Sequence, residues 1–203
     1  MNTAKEDILL WESFREGDRE AFATLFRTHY ELLYRYGGKF TTNAGLLEDS
    51  IQELFVELWQ SKNRTQVVSV RAYLLKALKY KLLKTYRKNQ ATVAFAGEEE
   101  LAFEFSHETF LIASEEDAEK KRRILRAMEQ LPARQKEIIY LKYYQNLSYA
   151  ETSEIMNINY QVARNLLYQA IRSLKNRLTG PLQSIFLLSA FTGHYILHAF
   201  STF

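Results

Sequence analysis

The sequence predicts an all-α protein made of two small helical domains. Apolar residues recur about every 3.6 positions along most of the chain, which is the helical period. Only two prolines and seven glycines interrupt the 203 residues, of which 47% are hydrophobic. A chain of this length can bury a sizeable core in one or two domains. Changes in composition place the domains at 1–90 and 115–179, with a linker at 91–114 and an apolar C-terminal helix in the tail 180–203.

Composition excludes several classes of protein. The chain has no cysteine, which rules out disulfides and thiolate metal sites and fits a reducing compartment. Its first residues are acidic and lack the apolar run of a signal peptide, so we expect a cytoplasmic protein. There is no glycine-rich phosphate loop, and the histidines do not form a zinc motif: His29, His107, His194 and His198. We therefore expect no metal, no other cofactor and no enzymatic activity.

Two helices between Lys5 and Lys39 open the N-terminal domain, separated by a turn at Gly17. Asp18 is placed to cap the second helix. The first helix has an apolar face of Ile8, Leu9, Trp11 and Phe14. The second has a stripe spaced to face a core, formed by Ala21, Phe22, Leu25, Phe26, Tyr30, Leu33 and Tyr36. The pair Gly37–Gly38 is expected to end it.

The next predicted helix, 44–60, has an apolar side and an acidic side. The apolar side consists of Leu47, Ile51, Leu54, Phe55 and Leu58. The opposite face, flanked by Val56 and Trp59, consists of Glu48, Asp49, Gln52, Glu53 and Glu57. A solvated face explains this pattern. A docking surface for another protein explains it equally well, because large apolar groups border the charges.

Segment 61–88 is basic throughout, with nine lysines and arginines and no acidic residue. Tyr73, Tyr80 and Tyr86 are interleaved on a helix whose buried side is Leu74, Leu75, Leu78, Leu82 and Leu83. Basic groups bind phosphates, and aromatic rings offer stacking platforms for unpaired bases. The pattern favours contact with nucleic acid over a merely solvated cationic helix.

The second domain is predicted to begin with a helix at 115–130, capped by Ser114 and Asp117. Pro132 opens the following helix, at a position where its missing amide costs nothing. That helix buries Ile138, Ile139, Leu141 and Tyr144. The linker before this domain has no strong helical period, but it contains apolar groups that can adhere to a surface: Phe95, Phe103, Phe105, Phe110, Leu111 and Ile112.

Residues 147–177 predict a helix-turn-helix. Ser148 and Glu151 form a capping box at the start of its first helix, in which Ala150 and Ile155 face inward. Asn157 suits the turn, because asparagine tolerates a left-handed backbone. Asn159 can cap the second helix.

The second helix of this motif has two distinct sides. The predicted buried stripe is Val162, Ala163, Leu166, Leu167, Ala170, Ile171, Leu174 and Leu178. The other side carries Tyr160, Gln161, Arg164, Asn165, Tyr168, Gln169 and Arg172. Such a helix can enter a major groove with its first turns toward the base edges. The alternative is an ordinary helical hairpin with a solvated face.

Three segments together resemble the sigma-70 family of bacterial RNA polymerase sigma factors, in its extracytoplasmic-function (ECF) class. EDSIQELFVELWQ, residues 48–60, resembles region 2.2, and residues 70–88 resemble regions 2.3 and 2.4. Residues 131–178 resemble the promoter-recognition domain called region 4. The resemblance implies a subunit that joins core polymerase, directs it to promoters and helps to melt the −10 element. The alternative from another class is a stand-alone helix-turn-helix regulator.

The resemblance also implies roles for particular residues. Those implied to bind core polymerase are Asp49, Gln52, Glu53, Phe55 and Trp59. Those implied to bind the −10 element are Asn63, Arg64, Arg71, Tyr73, Lys76, Lys79 and Tyr80. Those implied to read the −35 element are Tyr160, Gln161, Arg164, Asn165 and Tyr168. Where the family often carries Lys-Ser-Arg in the reading helix, this chain has Arg164, Asn165 and Leu166, so the −35 sequence does not carry over.

The implied partners are core RNA polymerase, through its β′ clamp helices and β flap, promoter DNA, and an anti-sigma factor. The resemblance does not cover the tail, where residues 181–203 carry no formally charged side chain. This length is close to the roughly 20 residues of a spanning helix. Polar groups nevertheless interrupt it, and such groups are costly in lipid. We therefore expect the tail to dock on this protein or on a partner, with membrane contact as the alternative.

Overall fold

A computed structural model describes residues 4–61, 66–90, 102–105 and 115–178. All regular structure in these ranges is helical and no strand occurs there, which confirms the all-α class. The chain divides into two compact units, 1–101 and 102–203. The described ranges hold no helix with the length and hydropathy that a membrane span requires.

The helices of the N-terminal unit are α1 (Ala4–Arg15), α2 (Arg19–Gly37), α3 (Ala44–Ser61) and α4 (Val70–Gln90). Gly17 turns the chain between α1 and α2 with a φ of +100°, which glycine adopts without steric cost. Asp18 Oδ1 then accepts the amides of Glu20 at 2.8 Å and Ala21 at 3.1 Å. The predicted turn and cap are therefore confirmed.

The core of this unit lies where α2, α3 and α4 meet. Its fully buried side chains include Leu33, Ile51, Leu74, Leu75 and Leu78. Gly37, the last residue of α2, makes this close approach possible. A Cβ built there would overlap Leu47 Cδ1 and lie 3.2 Å from Leu78 Cδ2. The predicted buried side of α4 is confirmed apart from Leu83, which is only half-buried.

The apolar face predicted for α1 is partly wrong. Trp11 and Phe14 are buried, but Leu9 is 64% exposed. Residues two apart on a helix point about 200° away from each other, so Leu9 and Trp11 cannot both face the same neighbours.

A buried histidine and aspartate link α1 to α2. Asp7 is 4% exposed and His29 is 2% exposed, and Asp7 Oδ1 lies 3.4 Å from His29 Nε2. Burial lowers the pKa of His29. Asp7 opposes this effect and Arg71 adds to it. The imidazole is therefore held more neutral in the folded unit than in the unfolded chain.

The C-terminal unit contains α5 (Glu115–Glu129), α6 (Ala133–Ile139), a π-helical turn (Tyr140–Tyr144), α7 (Tyr149–Met156) and α8 (Tyr160–Arg177). Pro132 is the N-cap residue of α6, with φ −55° and ψ 148°. Ser114, the predicted cap of α5, lies outside the described residues. The π-helical turn was not expected from the sequence.

Two phenylalanines of the predicted linker pack against the π-helical turn. Phe103 is 1% exposed and Phe105 is 6% exposed. Their ring centroids lie 5.6 Å from Tyr140 and 5.7 Å from Tyr144, respectively. The predicted adhesion of the linker is confirmed at these two positions, while Phe95, Phe110, Leu111 and Ile112 lie outside the described residues.

The helix-turn-helix consists of α7, the turn and α8. Ser148 Oγ accepts the amide of Glu151 at 3.2 Å, and Glu151 Oε2 accepts the amide of Ser148 at 2.8 Å. Asn157 has a left-handed backbone, with φ 52° and ψ 48°. Asn159 Oδ1 accepts the amide of Val162 at 2.8 Å. The capping box, the turn residue and the second cap are all confirmed.

Two residues of this motif that were predicted to face inward, Ala150 and Val162, are exposed. Ala150 is exposed, and Thr152 is buried in its place. The Thr152 hydroxyl donates to the Ser148 carbonyl at 2.8 Å, which satisfies it inside the fold. Val162 is 43% exposed, because the small Ala163 lies against the neighbouring helices instead. The predicted helix in the tail lies outside the described residues.

Candidate functional site

The acidic surface is the exposed side of α3, formed by Glu48, Asp49, Gln52, Glu53 and Glu57. Val56 and Trp59 border it and are 52% and 37% exposed. The structure therefore brings four of the five predicted polymerase-binding residues to one side of one helix. Residues three and four apart on a helix are neighbours, so Asp49, Gln52 and Glu53 can meet a single partner surface.

Phe55 is the exception among these five residues. It is 4% exposed, and its ring centroid lies 4.9 Å from Phe26 and 5.9 Å from Phe22. The ring belongs to the interface between α2 and α3. Phe55 consequently fixes the position of α3 and cannot itself present its ring to a partner, contrary to the prediction.

The predicted −10 residues of α4 differ in exposure. Tyr80 is 48% exposed, whereas Arg71, Tyr73, Lys76 and Lys79 are half-buried. The Tyr73 ring lies 5.1 Å from Trp11 in an edge arrangement, so part of it supports the core. Lys79 Nζ lies 5.9 Å from the Phe40 ring centroid. Asn63 and Arg64 lie outside the described residues.

An open cavity of about 390 Å³ lies between the C-terminal half of α3 and α4. Its polar rim contains Glu57, Tyr73, Tyr80, Lys81 and Lys84. Tyr73 and Tyr80 were predicted to bind the −10 element. Glu57 was predicted only on the acidic face of α3, and Lys81 and Lys84 were not assigned to a site. The sequence could have indicated these residues. Glu53 and Glu57 are one helical turn apart, and the helix that follows is rich in lysine.

Lys81 bridges the two helices. Its Nζ donates to Glu57 Oε1 at 2.8 Å and to Glu53 Oε2 at 3.0 Å. Burial lowers the pKa of Lys81, but the hydrogen bonds and charges of the two carboxylates outweigh it, and the net pKa is raised. The Lys81 side chain is therefore positively charged, and it lies between the acidic surface and the cavity.

The reading face of α8 consists of Tyr160, Gln161, Arg164, Asn165 and Tyr168, all exposed as predicted. Gln161 Nε2 donates to Asn165 Oδ1 at 3.1 Å. Tyr160 packs edge-on against Tyr149 of α7, with centroids 5.7 Å apart. Amide, guanidinium and phenol groups thus lie together over the first half of the helix, where a major-groove helix contacts base edges.

Lys142 braces this motif and was missed by sequence reasoning. Its Nζ donates to the Leu147 carbonyl and lies 4.3 Å from the Tyr149 ring centroid. Burial lowers the pKa of Lys142, while Glu151 acts in the opposite direction. The side chain ties the π-helical turn to the start of α7.

The described residues contain no group of three or more His, Asp or Glu side chains that could hold a metal ion.

Two sequence models of one family match the chain in order. Sigma-70 region 2 matches residues 25–92, and Sigma-70, region 4 matches residues 121–174.

The chain belongs to the sigma-70 family. It is a sigma factor of the ECF class and acts in transcription initiation. Members of this family are generally not enzymes. A stand-alone helix-turn-helix regulator has no support, because the match extends to region 2 as well as to region 4.

Curated relatives agree with this family assignment. The sigma factor is 25% identical over 174 residues to the ECF RNA polymerase sigma factor SigK of Mycobacterium ulcerans (strain Agy99), covering 82% of this chain and 90% of that one. It is 24% identical over 173 residues to the RNA polymerase sigma factor CarQ of Myxococcus xanthus, covering 85% and 97%.

Solved structures share the fold. CnrH, in complex with the cytosolic domain of CnrY, has a TM-score of 0.57 at 18% identity and covers 84% of this chain and 95% of its own. The sigma factor RpoE from Bartonella quintana, in complex with the anti-sigma factor NepR, has a TM-score of 0.54 at 18% identity and covers 77% and 95%.

Proposed function

We propose that this sigma factor binds core RNA polymerase through the acidic surface of α3 and promoter DNA through α4 and α8. The observation that carries the proposal is the separation of chemistry between neighbouring helices. Helix α3 exposes carboxylates, whereas α4 carries lysines and arginines with an exposed tyrosine. Opposite charges on two neighbouring helices suit a basic protein partner on α3 and DNA on α4.

The polymerase contact would centre on Asp49 and Gln52, with Glu53 and Trp59 beside them. All four are exposed, and a partly exposed tryptophan beside charges is a common anchor of protein interfaces. The β′ clamp helices are the proposed partner of this surface. The β flap is the proposed partner of the C-terminal unit.

The −10 contact would use the half-buried cations of α4 to hold phosphates and the Tyr80 ring to stack on an unpaired base. Opening a duplex costs a few kcal/mol for each unstacked base. Contacts made only with the opened strand offset that cost. The predicted residues here are Arg71, Tyr73, Lys76, Lys79 and Tyr80, with Asn63 and Arg64 before them in the sequence.

The −35 contact would use the reading face of α8. An arginine such as Arg164 can donate two hydrogen bonds to guanine, and the amides of Gln161 and Asn165 can each pair with adenine. These two amides are hydrogen-bonded to each other in the free protein. Reading adenine therefore requires that this bond be exchanged for bonds to the base.

An anti-sigma factor is a proposed further partner, since the related folds of CnrH and RpoE are found in complex with CnrY and with the anti-sigma factor NepR. We also propose that the sigma factor works in the cytoplasm, where its template is, and that it needs no cofactor and performs no catalysis itself. The domain limits predicted from the sequence remain part of this proposal, with residues 102–105 counted in the C-terminal unit rather than in the linker.

The test is assembly with core polymerase. The double variant Asp49→Arg, Gln52→Ala should bind core polymerase at least tenfold more weakly, while its melting temperature stays the same because exposed substitutions cost little stability. Glu12→Arg, an exposed charge reversal on α1, is the control. Unchanged core affinity in the double variant would contradict the polymerase assignment. Run-off transcription with the wild-type chain as the sole sigma factor tests the function as a whole.

A further inference from the structure

The π-helical turn, Tyr140–Tyr144, brings a lysine to the start of the helix-turn-helix. Lys142 is half-buried, and its Nζ donates to the Leu147 carbonyl. The Leu147 amide donates to the Leu141 carbonyl at 3.1 Å, and Asn146 between them has a left-handed backbone with φ 49°. The position of Lys142 is therefore set by the backbone around it. Short π-helical turns are rare and occur frequently at functional sites.

The Lys142 ammonium lies against an aromatic ring of α7. Its Nζ is 4.3 Å from the ring centroid of Tyr149, well within the roughly 6 Å over which a cation is attracted to the face of a ring. This attraction is stronger where the two groups are partly removed from water, and both of these side chains are half-buried. Lys142 thus stabilises one orientation of the Tyr149 ring.

Tyr149 in turn supports the first residue of the reading helix. The ring centroids of Tyr149 and Tyr160 lie 5.7 Å apart with an angle of 62° between the ring planes, which is an edge arrangement. Tyr160 begins α8 directly after the cap residue Asn159, and it is 52% exposed. One part of the Tyr160 ring therefore packs on Tyr149, and the rest faces solvent.

The position and chemistry of Tyr160 suit an apolar feature of a base edge. The N-terminal residues of a recognition helix contact the bases. In the major groove, thymine is distinguished by its C5 methyl group, which apolar groups and aromatic rings can contact. A ring that is free to rotate must lose that freedom on binding, so a ring already held in place binds more tightly.

We propose that Lys142 is a positioning residue for −35 recognition, which acts through Tyr149 to hold the Tyr160 ring against the methyl group of a thymine. Lys142 acts through the two rings rather than by contact with a base. This role rests on the proposed function, since it takes α8 as the helix that reads the −35 element.

The measurement is binding of the holoenzyme, assembled from core polymerase and the full chain, to promoter duplexes in which each −35 thymine is replaced in turn by uracil. Uracil lacks only the methyl group, so the ratio of the two affinities isolates that group. Wild type should bind about fourfold more weakly when one particular thymine is replaced, the ratio expected for burial of one methyl-sized group. Tyr160→Ala should be insensitive to that replacement.

Variants of the two supporting residues test the positioning role. Lys142→Met keeps the apolar stem and removes the charge, so it should lose most of the difference between thymine and uracil. Tyr149→Leu removes the ring and leaves the hydrogen bond of Lys142 in place, and it should have the same effect. Lys142→Arg keeps a cation beside the ring and should retain the wild-type ratio. Lys136→Met, which removes another half-buried lysine on α6, is the control and should leave the ratio unchanged.

Circular dichroism checks that each variant is folded, and Tyr149→Leu decides alone if Lys142→Met is not. A wild-type ratio in Lys142→Met or Tyr149→Leu, loss of the ratio in Lys142→Arg, or an equal loss in Lys136→Met would each overturn the positioning role.

Arg164→Ala, measured on duplexes with each −35 base replaced, separates this role from the proposed function. If neither Arg164→Ala nor Tyr160→Ala changes any −35 preference, α8 is not the reading helix and that part of the proposed function fails. If Arg164→Ala changes base preference but wild type is insensitive to every thymine methyl group, only the role of Lys142 and Tyr160 fails.

Discussion

Arg164 is the cation best placed to read a base, since it is exposed in the first half of α8 with Gln161 and Asn165 beside it. A bidentate contact to guanine contributes about 1–3 kcal/mol of discrimination. Arg164→Ala should therefore lower transcription from the cognate promoter and relax preference at one −35 position. The measurement is run-off transcription on a set of promoters with each −35 base replaced in turn.

Arg172 provides the matched comparison for this substitution. It is exposed two turns further along the same helix, where basic groups contact phosphate more than bases. Arg172→Ala should weaken all promoters to a similar extent and leave base preference intact. Normal transcription by Arg164→Ala across the whole set would mean that α8 is not the reading helix.

At the scale of the helices, the close packing of α2 against α3 and α4 depends on Gly37. A methyl group there meets Leu47 and Leu78, and overpacking of this kind costs about 1–3 kcal/mol. We expect Gly37→Ala to destabilise the N-terminal unit by that amount. Both tryptophans, Trp11 and Trp59, lie in this unit, so their fluorescence during urea unfolding reports it selectively.

Gly45→Ala is the control for the same chemical change. Gly45 is exposed near the start of α3, and its added Cβ would meet the Asn43 side chain at an ordinary 3.6 Å. Alanine is favoured over glycine inside a helix by about 1 kcal/mol. This variant should thus be as stable as wild type or more so, and equal losses in both variants would rule out the packing explanation.

The buried pair between α1 and α2 makes the stability of the N-terminal unit depend on pH. The pKa of His29 is lowered in the folded state, so the unfolded chain binds a proton first as pH falls. Stability should decline below about pH 6.5, the ordinary pKa of histidine. The decline should continue until the folded histidine is also protonated.

The measurement is the urea midpoint by tryptophan fluorescence at pH 7.5 and at pH 5.5. Wild type should lose stability over this interval, and His29→Gln, which cannot be protonated, should lose less. Asp7 and Arg71 remain in both proteins, so the difference isolates the imidazole. A wild-type midpoint that rises on acidification would contradict the assignment of a neutral His29.

At the scale of the whole chain, the C-terminal unit includes a piece of the predicted linker. Because Phe103 and Phe105 are buried against the π-helical turn, a fragment 102–178 should unfold at a higher temperature than a fragment 115–178. Phe103→Ala in the longer fragment should lower the free energy of unfolding by about 3–5 kcal/mol, the usual range for a buried phenylalanine. Glu104→Ala, at the exposed position between the two rings, is the control. Circular dichroism measures all four, and equal stability of the two fragments would contradict the inclusion of residues 102–105.

The tail, 181–203, remains a prediction because it lies outside the described residues. Its many large apolar groups and lack of charge argue for docking on protein rather than for disorder. Deletion of 181–203 should leave a soluble sigma factor with equal or higher activity in transcription. Lipid flotation that depends on the tail, or a soluble but inactive truncation, would show that the tail acts otherwise.

Local chemistry in the sequence determined much of this protein. The capping box of Ser148 and Glu151, the turn at Asn157 and the alternation of acidic and basic helices depend on residues close together in the chain. Interactions between near neighbours, such as caps and helical faces, follow from residue type and spacing. For that reason the helices, the helix-turn-helix and the family resemblance follow from the sequence alone.

Only the tertiary structure decided which member of an apolar face is buried and which charges meet. Phe55 became a core residue because Phe22 and Phe26 of another helix lie against it. Phe103 joined the C-terminal unit through Tyr140, which is distant in sequence. Lys81 came to bridge Glu53 and Glu57, 28 and 24 residues before it. These contacts depend on how separate helices pack together, and helical periodicity specifies only the direction of a side chain around its own axis.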